Sequence, residues 1–73
     1  MITNRDVEDH WAHPPRQRVF DGERALGVRA GDGKVLVSVE DGDALVAFLR
    51  FTPRQADFLM TALGMAICET EKT

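Results

Sequence analysis

Three Asp-Gly steps, Asp21-Gly22, Asp32-Gly33 and Asp41-Gly42, cut the middle of the chain into short apolar runs. Asp-Gly between alternating apolar runs marks a tight hairpin, because a type I′ turn needs positive φ at both central residues. The runs between the steps fit. Arg18-Val19-Phe20 is a short strand, and Arg24 to Ala30 places Leu26, Val28 and Ala30 on one face. Lys34 to Glu40 sets Val35, Val37 and Val39 against Leu36, Ser38 and Glu40, the cleanest half-buried alternation in the chain. Ala44 to Phe51 is apolar on both faces, with Leu45, Ala47, Leu49 and Phe51 opposite Val46 and Phe48. This pattern predicts an antiparallel β-meander of three or four strands.

A helix follows with no loop between. Thr52 suits the N-cap, Pro53 the first helical position, and Gln55 completes a capping box, so a helix is expected from Pro53 to about Glu69. The expected fold class is therefore α+β, a β-β-β-α unit in which the C-terminal helix packs on the sheet, occupying residues 17–73. Residues 1–16 read as an N-terminal arm. Thr3 and Asp6 have capping-box spacing for a short helix to about Glu8, and Pro14-Pro15 then forces an extended path. The arm is expected to dock through Trp11.

With 73 residues the chain is one domain close to the lower limit for a self-sufficient core. Domains of this size rarely gain more than ~3–5 kcal/mol from the core without a disulfide, a metal or a partner chain. Cys68 is the single cysteine, which excludes an internal disulfide and a cysteine-based zinc site. A partner chain is the remaining support, and the helix pattern asks for one. On a helical wheel Phe58, Leu59, Met60, Ala62, Leu63, Met65, Ala66 and Ile67 sweep an arc of roughly 220°, where a helix on a small sheet needs little over ~100°. Either the N-terminal arm folds back over the surplus with Trp11, Val7 and Ile2, or a second copy covers it. The small size of the domain and the extent of the surplus favour a homodimer, with Trp11, Phe48, Met60, Leu63 and Ile67 as the residues expected to meet a partner.

The residues with chemical potential do not assemble into a catalytic signature. Ser38 is mid-strand, without the sharp turn of a nucleophile elbow. Cys68 lies near a helix C-terminus, where the macrodipole disfavours a thiolate, and reads as a small core or rim residue. Asp6, Asp9, His10 and His13 are the one group with metal-like composition, but Pro14 prevents the helix that would make both histidines converge. No metal or cofactor is expected, and an enzyme is not the preferred reading. The net charge of −3 argues against a dedicated nucleic-acid binder. Arg18, Arg24, Arg29 and Arg50 could still form a basic sheet face that a dimer would double, which makes a DNA-binding regulatory module the alternative. No run approaches the ~18 apolar residues of a membrane span, and the start of the chain lacks a signal-peptide pattern, so a cytoplasmic protein is expected.

The C-terminal strand–helix segment resembles that of short actinobacterial and actinophage proteins of unknown function. The likeness is carried by Glu40-Asp41-Gly42-Asp43, the strand Ala44–Phe51 and the helix start Thr52-Pro53-Arg54-Gln55-Ala56, under half of the chain. It implies a small accessory or regulatory protein and transfers no functional residue.

Overall fold

The computed structural model describes residues 2–72; Met1, in the expected arm, and Thr73, in the expected domain 17–73, lie outside the described residues. In chain order the elements are α1 (Asn4–Ala12), β1 (Gln17–Asp21), β2 (Arg24–Gly31), β3 (Lys34–Asp41), β4 (Ala44–Phe51) and α2 (Pro53–Thr70). The strands form one antiparallel sheet in the order β1-β2-β3-β4, the meander expected, with all four strands present. No helix among the described residues is long and apolar enough to cross a membrane.

The hairpins use glycine in two ways. Asp32 (φ 52°) and Gly33 (φ 72°) are both left-handed, as a type I′ turn requires, with Gly31 and Lys34 paired across it. At the other two turns the aspartate is the last strand residue. Asp21 pairs with Arg24 and Asp41 with Ala44, leaving Gly22-Glu23 and Gly42-Asp43 as the central residues. Only the glycine has positive φ there, 63° at Gly22 and 62° at Gly42, which is the pattern of a II′ turn. The hairpin prediction holds, but at these two turns the register is one residue away from an Asp-Gly centre.

The register also sorts the two faces. Val28, Val37 and Leu49 form one cross-strand row, flanked by Val19, Leu26, Val39 and Ala47 on one side and by Ala30, Val35 and Phe51 on the other. The opposite face carries Arg18, Gly27, Ser38 and Phe48 in one row and Arg29, Leu36 and Arg50 in another. A register shift at Val39/Glu40 leaves Val46 as the extra residue of a bulge and sets Leu45 opposite Glu40. Leu45 therefore shares the face of Phe48, not that of Ala47 as simple alternation implies.

Helix α1 covers the second, more polar face. Its start is fixed by a complete capping box: Thr3 Oγ1 accepts from the Asp6 N–H at 3.1 Å, and Asp6 Oδ2 accepts from the Thr3 N–H at 3.0 Å. It runs four residues beyond the expected Glu8 and stops before Pro14-Pro15, since the residue before a proline avoids helical φ/ψ. Pro15 is buried over Gly27, where an added Cβ would stand 2.4 Å from Pro15 Cγ and 2.8 Å from Ser38 Oγ. Glycine there is what lets the chain cross the sheet on its way from α1 to β1.

Helix α2 departs from expectation. It starts where predicted, with Thr52 Oγ1 accepting from the Gln55 N–H at 3.1 Å and Gln55 Oε1 accepting from the Thr52 N–H at 2.9 Å. It does not pack on its own sheet, and no α2 residue is buried. The cause is the junction. A single residue, Thr52, separates β4 from α2, its side chain is committed to the capping box, and Pro53 fixes the next φ. Connections that return a helix onto a sheet usually take about 2–6 residues, so the chain runs on past the sheet edge and the molecule extends to 42 Å along its long axis.

Gly27→Ala should destabilise the domain by roughly 1–3 kcal/mol, the usual cost of forcing a methyl group into filled space, and release α1, since its contact is with the rigid Pro15 ring. Chemical denaturation checks the value. The equivalent change at Gly64, which has open space around it, should leave the sheet and α1 untouched.

Candidate functional site

The molecule presents two unusual regions, an ionic network beneath α1 that is buried at His10 and Glu40 and part-exposed at its rim, and a broad apolar surface that nothing covers.

The network follows from helical spacing. Asp6, Asp9 and His10 fall on one side of α1, three and four residues apart, and that polar stripe faces the sheet. His10 is 1% exposed, with Nε2 2.6 Å from Glu40 Oε2. An ionised carboxylate only accepts, so this bond places the proton on Nε2. Arg18 reaches the same carboxylate with Nε at 3.2 Å from Oε1 and a terminal nitrogen at 3.3 Å from Oε2. Burial pushes the Glu40 pKa up, but the hydrogen bonds from Arg18 and His10 together outweigh it and hold Glu40 below the ordinary carboxylate range. On either side of Leu36, Arg50 binds Asp6 at 2.6 Å and Arg29 binds Asp9 at 3.4 Å. The Arg50 hydrogen bond, reinforced by the Thr3 N–H, lowers Asp6 to about 2. Phe48 completes the contact, edge-on to the His10 ring at 6.1 Å and beneath the Arg50 guanidinium at 4.8 Å.

These contacts correct several expectations from the sequence. The basic face does not form, because Arg18, Arg29 and Arg50 are neutralised by Glu40, Asp9 and Asp6, while Arg24 lies on the opposite face of the sheet. Phe48 supports α1 and is not a free partner-binding residue. The arm does dock, but through Asp6 and His10. Trp11 remains 40% exposed and touches the His10 ring edge-on at 4.7 Å. The acidic and histidine residues of α1 diverge to three separate strands, and no group of three or more potential metal ligands occurs among the described residues. Ser38 is buried and donates to the Gly27 carbonyl at 3.5 Å, so it has no basic partner. Cys68 is exposed on α2, not a core residue.

The apolar surface is the region with free valence. On α2, Met60 is 65% exposed, Leu63 57% and Ile67 59%, with Phe58, Leu59 and Met65 exposed beside them. On the uncovered sheet face Val19, Leu26 and Leu49 are exposed, and Val28, Val35 and Val39 are half-buried. The wheel pattern identified the helical part in advance. The sheet part was not foreseen, because the C-terminal helix was expected to pack on the sheet. Monomers rarely expose contiguous apolar patches of more than a few hundred Å².

Acid should release α1 selectively. Asp6 is depressed in the folded state from 3.8 to about 2, so its ion pair contributes stability in full above pH 3.8, and that contribution falls away as the pH drops through 2; Glu40 is shifted in the same direction. Trp11 emission followed from pH 5 to pH 2 should report the undocking. Glu40→Ala should cost roughly 1–3 kcal/mol at neutral pH, because it leaves the buried His10 donor unpaired, while the part of the acid transition that comes from the Asp6–Arg50 pair should remain.

Comparison with protein-family models, curated proteins and solved structures returns no match.

Proposed function

We propose that this chain is a small non-enzymatic interaction module, accessory or regulatory in role, that works as a homodimer. The observation that carries this reading is the amount of surface left open. A compact monomer of 8.1 kDa exposes about 4,500 Å². The chain exposes 5899 Å², an excess of about 1,400 Å². A standard interface takes about 800 Å² from each partner, and obligate dimers take more. The excess therefore matches an obligate interface, and it coincides with the apolar residues of α2 and the valine face. Shape supports the same reading: the radius of gyration is 13.6 Å, where a compact chain of this length has about 11 Å.

A second copy satisfies this surface without any further component. An isologous pair buries the same patch from both chains around a two-fold axis. The outer side of α1, with Arg5 and Glu8 exposed, then stays on the exterior of the dimer.

Light scattering should give a mass of about 16 kDa, twice the chain mass of 8.1 kDa. The melting temperature should rise with protein concentration, because association stabilises the folded state by mass action. A monomer at high micromolar concentration with a concentration-independent melt would overturn the proposal.

A further inference from the structure

We infer that the two copies exchange their C-terminal helices, α2 of each chain lying on the open valine face of the other. The inference rests on the homodimer proposed above and specifies how it is built.

Three observations lead to it. First, the chain holds both halves of a helix-on-sheet layer but does not join them. The face around the buried Val37 is open at Val19, Leu26 and Leu49 and half-covered at Val28, Val35 and Val39, and α2, apolar over most of its circumference, has no buried residue. Second, β4 and α2 are joined by the single residue Thr52, committed to a capping box and followed by Pro53, and α2 does not return to its own sheet. A short rigid junction is the usual condition for exchange between chains, because the contact denied within one chain is free to form between two. Third, the lengths agree. The 18 residues of α2 span about 27 Å and the eight-residue strands β2, β3 and β4 span about 26 Å. A partner helix can therefore cover the sheet along its whole length. The breadth of the α2 arc is also accounted for: one side seats on the partner's sheet, and the remainder can meet the symmetry-related α2 across the axis. Gly64, with open space around it, suits a close approach there.

The exchange makes a distinctive prediction about paired variants. Leu63→Glu puts a charge on the apolar arc of α2, and Leu49→Lys puts one on the open sheet face. Each variant alone should lose the dimer, because both of its interfaces are damaged. Mixing the two should restore a dimer containing one chain of each kind, visible by native mass spectrometry. In that pair one interface is wild-type and the other sets Glu against Lys. A Leu49→Lys chain that dimerises like the wild type would overturn the exchange in favour of helix-to-helix packing and leave the homodimer standing. A Leu63→Glu chain that dimerises normally would overturn it in favour of sheet-to-sheet contact. A wild-type chain that is monomeric removes both readings.

A second variant does not depend on tolerating a buried charge. Six Gly/Ser residues inserted between Phe51 and Thr52 leave the capping box intact and give α2 enough chain to reach its own sheet, about 10 Å away in a helix-on-sheet layer. The inserted chain should become a folded monomer with undiminished helical circular dichroism. If it stays dimeric with wild-type affinity, the junction is not what separates α2 from its sheet, and the exchange is wrong.

Discussion

Glu40 is a buried carboxylate on the middle of a sheet, and such a group is tolerated only when it is fully paired. Its partners come from two directions, Arg18 from β1 and His10 from α1. That requirement decides which face of the sheet the N-terminal helix takes. Helix α1 lacks an apolar stripe of its own. It presents Asp6, Asp9 and His10 to a face that supplies Arg50, Arg29 and Glu40 in return. The cover is held by charge complementarity, with Pro15, Leu36 and Ala25 giving the apolar contact beneath it. Buried ion pairs contribute little net stability but penalise any arrangement that leaves one member alone. The network therefore acts mainly to specify one docked position for α1.

Closing that face leaves the other one open. The valine face carries its charged groups only in the end row of Asp21, Arg24 and Asp41, so its central rows offer α1 no ionic partner, and a junction one residue long separates it from α2. Within a single chain the sheet is thus covered on its polar side and bare on its apolar side, the reverse of the usual arrangement for a half-buried antiparallel sheet. The inversion carries the functional reading. A surface that is apolar, continuous and matched in length to a helix of the same chain fits an interface between copies better than a binding pocket for a small molecule.

The acidic residues that hold α1 tie this cover to pH, since their folded-state pKa values lie below the ordinary range. The α1 cover is consequently the part of the molecule held by ionic contacts that acid and salt weaken.

Much of the fold was written in local chemistry. The Asp-Gly steps required hairpins, the alternation between them required strands, and Thr52-Pro53-Arg54-Gln55 required a helix start, because each depends on the φ/ψ preferences and hydrogen bonds of a few neighbouring residues. The excess apolar arc of α2 was legible for the same reason: a helical wheel is a local property. Other features depended on contacts between residues distant in sequence. His10 meets Glu40 across thirty positions and Arg50 meets Asp6 across forty-four, so composition along α1 showed a metal-like group of residues and not the docking surface they form. The bulge at Val46 reversed the side of Leu45, which strict alternation cannot foresee. Which sheet face would be closed, and whether α2 would lie on it, were likewise tertiary decisions. They turned on ionic partners brought together by the register of four strands, and on a junction too short to bend back.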